Sequence, residues 1–560
     1  MIRRLGLLLL TVLLLFLVWG PLVALVQSAF WVDKTVVAVD GETELQTEKE
    51  FDLTSVKKTL GHRRTPEVAL NTIKLGVTTT AFCLLIGVPL AYLLARFRLP
   101  WSSGLHLMLI LPFIMPAVIC TFAWMLLLGG AGVISKGLAA STGIEIELYG
   151  FWGIVFVQSV RLTPYVFILI YAALRIIPDT ISESTRIHGI PPWRGVLRVV
   201  LPLILPAIFG AGLLVFMSSI EEISGPAFLG GKFRVLSFEI YRSLKLLNKI
   251  DRAMVQAGIL LVITLIPLLA SYWLTRQQGR REVISGRGER STKRELGLWK
   301  WPALILLALY IIVTVVLPFG VLIATSLMHN LGDGYTMSNL SLEWYRWVLS
   351  WKEVRAAIWH STLYATLAAT FATFVLGLFI SYRVVRSSGR SRILYDFSGS
   401  VPLALPGAIL GIGIYTLWLE LYSPLTLTMW VLVMAYSVRF LPYAVRSGVA
   451  ALEQVSKCVE EAAQIHGVSQ LRAIKDIVLP LILPSLAGAW ILVFVSAFRE
   501  LTASLMLVSG ETQVNATLLF DFIDNGNYLR AAAHSVVIMT VCIIGISLVH
   551  RFTTRSAADS

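Results

Sequence analysis

The polar positions of this chain fall in short clusters between long apolar runs. Twelve runs reach about the 20 residues that a helix needs to cross a hydrocarbon core. They lie at roughly 5–29, 68–95, 105–128, 151–177, 202–224, 253–275, 301–327, 357–384, 395–420, 423–447, 480–503 and 531–551. The pattern predicts an all-α polytopic membrane protein of about twelve transmembrane helices. The first run follows Arg3 and Arg4, as a signal peptide would. It is longer than an ordinary apolar signal region and no small-residue cleavage site follows it, so it reads as a retained span.

The polar clusters repeat. Glu183-Ser-Thr-Arg-Ile-His-Gly189 returns 278 residues later as Glu461-Ala-Ala-Gln-Ile-His-Gly467, and each is followed by Leu-Pro-Leu-Ile-Leu-Pro, at 201–206 and 479–484. Ser159-Val-Arg-Leu-Thr-Pro-Tyr165 matches Ser437-Val-Arg-Phe-Leu-Pro-Tyr443 at the same offset. Gly87, Tyr92, Arg96, Pro112 and Pro116 match Gly377, Tyr382, Arg386, Pro402 and Pro406 at an offset of 290. The change of twelve places an insertion in the Gly-rich stretch 129–150, where a loop absorbs length more easily than a spanning helix. The chain therefore divides into a first half, 1–275, a basic linker, 276–300, and a second half, 301–560. Six spans per half is an even number, so the halves are parallel repeats about an axis along the membrane normal.

Composition agrees with a membrane chain: 56% of residues are hydrophobic, 14% are charged, and mean hydropathy is +0.77. A formal net charge of +14 raises a nucleic-acid reading, which the location of the charge rejects. The linker 276–300 carries eight Lys and Arg against three Glu, while residues 31–67, on the opposite side, hold eight acids and six bases. That asymmetry is the positive-inside pattern and assigns both termini, the linker and both repeated loops to the cytoplasm. Cys83, Cys120 and Cys542 sit in apolar runs and Cys458 in a loop, with no metal-ligand spacing and no disulfide framework.

The repeated loop reads as a helix, a glycine break and a second short helix. In the second copy Val459, Ala462, Ala463 and Ile465 make a short apolar face, with Glu460, Glu461 and Gln464 towards water. Gly467 is placed to break the helix through a positive φ, and a second helix over 469–478 runs to the proline pair. The Glu-Ala-Ala, three residues, Gly pattern ahead of a distant Leu-Pro resembles the coupling loop of type I ABC importer permeases, those of binding-protein-dependent systems. Glu461, Ala462, Ala463 and Gly467 fit it in full. In the first copy Glu183 and Gly189 remain, but Ser184 and Thr185 replace the alanines, so the two loops should be gripped unequally. Asn71-Thr72, ahead of the second span, also resembles the start of the family's core, with Ser361-Thr362 a weaker counterpart. The resemblance implies a loop seated in a groove of an ATP-hydrolysing subunit, two copies of that subunit, and a periplasmic or lipid-anchored binding protein. It places the chain in a bacterial inner membrane. No Gly-x-x-x-x-Gly-Lys-Ser/Thr loop occurs in this chain. It is thus expected to be a permease without a cofactor of its own, ATP and Mg belonging to the partner.

Fusion of two halves into one chain is similar to the ferric iron importers, with thiamine, aminoethylphosphonate and some polyamine or sulfate-type systems as relatives. Arg499-Glu-Leu-Thr-Ala-Ser-Leu-Met506 and Gly225-Pro-Ala-Phe-Leu-Gly230 resemble segments of the ferric group. Separately, Glu221 and Glu222 align with Arg499 and Glu500 at 278, late in the fifth span of each half. Ionisable groups at such depth line a wet cavity or pair with one another. They are candidates for the translocation path, for a gate, or for an ion pair in which Arg499 meets a carboxylate. Arg161 and Arg439 read first as helix-end or interface anchors, and His188 and His466 as docking-surface residues. A gradient-driven secondary transporter would also use Glu222 and Glu500, but it has no use for a duplicated coupling loop.

Overall fold

The computed structural model describes every residue except 1, 38–44, 52, 179–186, 188–190, 279–292 and 559–560. Helices dominate, and among the described residues eleven are long and apolar enough to cross a membrane, from Leu8–Ser28 to Tyr528–Leu548. A further 26-residue helix, Met429–Gln454, carries Arg439 at mid-length. Among the described residues the extended structure includes a two-stranded antiparallel ribbon, Trp31–Val37 with Leu45–Phe51, in register Trp31 to Phe51.

Two of the spans read from the sequence are each broken in two. Instead of one helix over 105–128, the chain forms Ser102–Ile114 and Ala117–Leu128, with Met115 extended at ψ 121° before Pro116. Instead of one over 395–420, it forms Gly389–Ser400, a 3-10 turn Val401–Ala404, and Gly407–Tyr422, with Leu405 extended at ψ 122° before Pro406. The cause is the repeated proline pair, because a proline ring pushes the preceding residue out of the helical region.

The residues pack as two compact units, 1–65 with 239–261 and 345–560, and 66–238 with 262–344. These units and the sequence halves 1–275 and 301–560 are different divisions of the chain. In the first unit the opening helix Ile2–Phe30 lies along second-half elements. Phe16 meets Trp418 edge-on at 6.1 Å, Thr11 Oγ1 lies 2.8 Å from the Tyr395 hydroxyl, and Trp19 Nε1 donates to Ser398 Oγ at 3.2 Å. In the second unit Leu307, from the opening helix of the second half, is buried in a core with Cys83, Leu162, Phe167 and Ile170 of the first. Each half thus lends its first helix to a unit built mainly from the other.

Close helix approach explains the repeated glycine. A Cβ at Gly87 would come within 2.8 Å of the Val166 side chain, and one at Gly377 within 2.8 Å of the Ala444 Cβ. Val166 and Ala444 are themselves 278 apart, so the same helix crossing occurs in both halves.

Candidate functional site

Two of the places where polar side chains gather hold residues that the sequence singled out. The first is a break late in the fifth span of each half. Helix Leu201–Glu221 stops and Ser224–Leu229 begins; helix Leu479–Phe498 stops and Thr502–Leu507 begins. A buried carboxylate sits in each gap, Glu222 at 4% exposure and Glu500 at 8%. Arg161 Nη2 meets Glu222 Oε2 at 2.6 Å, and Arg439 Nε meets Glu500 Oε2 at 3.2 Å. The free oxygen faces the next short helix: Glu500 Oε1 accepts from the Ala503 amide at 3.0 Å, and Glu222 Oε1 lies 3.5 Å from Ser224 Oγ. Each main-chain carbonyl at the break is also held, Glu222 O by Ser237 Oγ at 2.8 Å and Glu500 O by Ser504 Oγ at 2.6 Å.

Arg161 and Arg439 are therefore not helix-end anchors. They stand inside Phe151–Ile176 and Met429–Gln454 and each neutralises a carboxylate of its own half. Glu500 takes Arg439 as its ion-pair partner, so the expectation of Arg499 in that place is corrected. Sequence proximity suggested Arg499, whereas a neighbouring helix presents the Arg439 guanidinium directly to Glu500. Glu221 and Arg499, the flanking members of the aligned pairs, are only half-buried. Burying a charge costs several kcal/mol unless it is paired, and both halves meet that demand in the same way. Among the described residues no three His, Cys, Asp or Glu side chains come together as a metal-holding group.

The second place is the repeated loop. Glu183, Ser184, Thr185 and Gly189 lie outside the described residues, as does His188; Ile187, between them, is 83% exposed. The second copy is described throughout. Ser456 caps helix Lys457–Ile465, its side chain accepting from the Cys458 amide at 3.3 Å. The helix ends on Gly467 at φ +79°. The Val468 amide reaches back to Ala463 O and the Gly467 amide to Gln464 O, both at 3.0 Å, which is the Schellman arrangement of a glycine-terminated helix. Beyond the turn come Gln470–Ala473 and then a π turn, Ile474–Val478, running without a break into Leu479–Phe498. The first half has the same π turn at Val196–Val200. In each case the following proline, 480 or 202, has no amide to donate and crowds the carbonyl four residues back, and the wider turn relieves that crowding.

The orientation of this helix differs from the sequence expectation. Val459 is 38% exposed, Ile465 84% and Ala462 is exposed, so of the supposed apolar face only Ala463 is buried. Glu460, assigned to water, is 4% exposed. The reason lies on the neighbouring helix end: Arg386 Nε donates to Glu460 Oε1 and the Tyr382 hydroxyl to Glu460 Oε2, each at 2.7 Å. Arg386 Nη2 also donates to Val455 O at 2.8 Å, and Gln470 Nε2 to the Tyr382 hydroxyl at 2.6 Å. Glu461 stays exposed, paired with Lys457 at 2.9 Å; its carboxylate holds the Lys457 ammonium above the ordinary lysine pKa. Tyr382 and Arg386 were visible in the sequence as repeat matches to Tyr92 and Arg96, and polar residues retained in both halves at an apolar helix end were the available signal. In the first half Arg96 Nη1 donates to Ile177 O at 3.3 Å, the counterpart of Val455.

The core-start residues have a defined task. Thr72 Oγ1 accepts the Leu236 amide at 2.9 Å, Asn71 Nδ2 donates to Arg234 O at 3.2 Å, and Ser361 Oγ accepts the Asn515 amide at 2.7 Å. In both halves a small polar group on the second span receives the first amide of a helix that follows the broken fifth span.

The model for binding-protein-dependent transport system inner membrane components matches residues 87–284 and again 373–556, more than half of the chain. The ferric transport system permease protein FbpB of Actinobacillus pleuropneumoniae is 27% identical over 548 residues, covering 94% of this chain and 75% of that protein. The Fe(3+)-transport system permease protein FbpB 2 of Haemophilus influenzae is 22% identical, covering 90% of this chain and 94% of that one. A putative 2-aminoethylphosphonate transport system permease protein, PhnU of Salmonella typhi, is 27% identical over 38% of this chain and 74% of its own. A crystal structure of a bacterial ABC transporter that imports alginate aligns at TM-score 0.37 and 20% identity, over 49% of this chain and 96% of that one. With its two matched halves and its many membrane-crossing helices, the chain belongs to the family of binding-protein-dependent transport system inner membrane components.

Proposed function

We propose that this chain is the two-half permease subunit of an ATP-driven importer whose cargo is ferric iron, delivered by a periplasmic or lipid-anchored binding protein. The observation that carries the importer reading is the repeated loop, which in its second copy forms an exposed helix, a Schellman turn at Gly467, and a π-turned arm continuous with a spanning helix. A load on Ile465 or Val459, which face outward, passes through that arm into the membrane helix. Residues 183–189 and 461–467 would seat in two copies of an ATPase subunit, where ATP and Mg bind. The iron reading is supported by the near full-length similarity to two ferric permeases. Thiamine, aminoethylphosphonate and polyamines stay as alternative cargoes, since an aminoethylphosphonate permease matches part of the chain.

In this reading the chain lies in a bacterial inner membrane with both termini, the linker and both elbows in the cytoplasm. Glu221, Glu222, Arg499 and Glu500 would stand beside the translocation path, with Glu222 paired to Arg161 and Glu500 to Arg439. Reconstitution tests the proposal. The chain, its co-purifying ATPase and the binding protein encoded beside it, sealed in proteoliposomes, should accumulate ferric iron only with ATP. ATP-driven uptake of another cargo with no iron uptake would overturn the iron assignment alone. Absence of any ATPase from the purified complex would overturn the importer reading.

A further inference from the structure

The short helices that follow the two fifth-span breaks are held differently at their far ends. Ser224–Leu229 and Thr502–Leu507 occupy aligned positions, 278 residues apart, and each begins beside a buried carboxylate paired with an arginine. The first ends in main chain of its own half. The Gly150 amide donates to Leu229 O at 2.6 Å, and the Phe233 amide to Gly230 O at 2.8 Å. Gly150 closes the stretch 129–150, where the sequence places the insertion, and stands at φ +99° as the N-cap of helix Phe151–Ile176. The turn is tight, because a Cβ at Gly230 would run into Pro226 O and Phe233 O. The second short helix ends in another way. At the position aligned with Gly150 stands Thr428, whose amide turns to Leu425 O at 3.0 Å. At the position aligned with Gly230 stands Val508, whose carbonyl accepts from Lys245 Nζ at 3.0 Å. Lys245 belongs to the first half, and the residue aligned with it in the second is Ile523, whose side chain has no donor.

We propose that Thr502–Leu507 is the moving member of the pair, hinged at Glu500, and that Lys245 is the positioning residue that latches it to the first half. The two ends of this helix differ in what release leaves behind. At the near end Glu500 is buried with Arg439, and parting them strands charge where water does not reach. At the far end the Lys245 ammonium is exposed, so water takes over its bonds once Val508 O lets go. The far end therefore opens first, and the near end serves as the pivot. At rest the latch is sound, since a cation suits the last carbonyls of a helix and the bond is charge-assisted. It also differs in kind from the tie at Leu229. That one joins two main chains, whereas the latch runs through the flexible stem of a lysine. Because it crosses between the halves, a shift of the segment Arg242–Leu246 either carries the end of the short helix along or breaks the latch. In the orientation proposed above this end is external, where cargo arrives, and for that step the inference rests on the importer reading.

Hydrogen–deuterium exchange on the purified full-length protein tests which helix moves. In the wild type the amides of residues 503–508 should exchange on the order of tenfold faster than those of 225–230, because local opening sets the rate. Lys245→Met, which keeps the stem and removes the ammonium, should speed exchange over 503–508 several-fold further and leave 225–230 as they were. In proteoliposomes with the ATPase and the binding protein, the same variant should lower the maximal rate of iron uptake several-fold. The binding-protein concentration for half-maximal uptake should not change, since the latch steers the helix and not docking. Lys245→Arg restores a cationic donor and should recover both readouts, which a lysine that only fills space would not require. Equal exchange in the two short helices of the wild type would overturn the proposal without any variant. Wild-type exchange over 503–508 in Lys245→Met, or no recovery in Lys245→Arg, would overturn the role of Lys245. Failure of the wild-type chain to take up any cargo with any ATPase would instead remove the importer reading, and the exchange contrast would still decide which helix moves.

Discussion

The two halves agree at depth and disagree at the elbow. Inside the apolar region Arg161 meets Glu222 and Arg439 meets Glu500, at the same aligned positions and against the same helix break. Outside it, Arg386 finds Glu460, whereas the aligned arginine, Arg96, has a serine at the corresponding place in the sequence. A carboxylate buried among apolar helices cannot do without a partner, so the pair must be kept in both copies or lost from both. Glu460 is buried as well, at 4% exposure against Arg386, so its pair answers the same demand; the halves differ there in sequence, and the aligned Ser182 lies outside the described residues.

The largest effect is expected where the backbone itself is at stake. Gly467→Pro forces φ near −65° on a residue that sits at +79° and removes the amide that closes on Gln464 O. Uptake should fall to background with the protein still in the membrane, and co-purification of the ATPase should be lost. Glu461→Lys should likewise abolish uptake. Gly189→Pro and Glu183→Lys should hurt less, and equal or greater loss there would break the asymmetry between the elbows.

Next come the ion pairs. Arg161→Met and Arg439→Met each leave a buried carboxylate without compensation, a change that costs about 3–5 kcal/mol in comparable buried pairs. Thermal unfolding in detergent should show two similar losses. A large loss in one half with none in the other would mean that the repeated geometry is not energetically repeated. Glu222→Gln and Glu500→Gln sharpen the comparison further. A structural pair predicts lowered melting temperature in both, while a role beside the cargo predicts slowed uptake at unchanged stability.

Smaller again are the helix crossings. Gly87→Ala and Gly377→Ala each push a methyl to within 2.8 Å of a facing side chain and should each cost about 1–3 kcal/mol by overpacking. Urea titration of the purified chain measures this, and a neutral result in either would show that the neighbouring helix yields. The least effect is expected for Lys457→Ala. Its partner Glu461 is half-exposed, and water and salt screen such surface pairs until little is left. A marked loss of stability there would mean that the elbow is held from outside as well as by Glu460.

The sequence by itself determined what depends on spacing along one chain. Apolar run length gave the membrane-crossing helices, the 278-residue repeat gave two halves, and a glycine after a nine-residue amphipathic stretch gave the turn at Gly467, because backbone limits act locally. The Pro112 and Pro116 matches were visible too, yet the resulting helix breaks at Met115 and Leu405 were missed, since apolar composition continues across them. Only the tertiary structure decided which partner each polar group takes. Arg161 and Glu222 are 61 residues apart, and Arg386 and Glu460 are 74 apart. Nothing in local spacing states that Glu460 turns inward while Val459 and Ile465 turn out. The helix is equally amphipathic in either orientation, and its choice is made by a guanidinium and a phenol waiting on another helix. The lending of the opening helix to the other half's unit has the same character. An apolar span satisfies its own backbone wherever it lies, so only the surfaces it meets, Trp418 and Tyr395 for the first of them, decide where it packs.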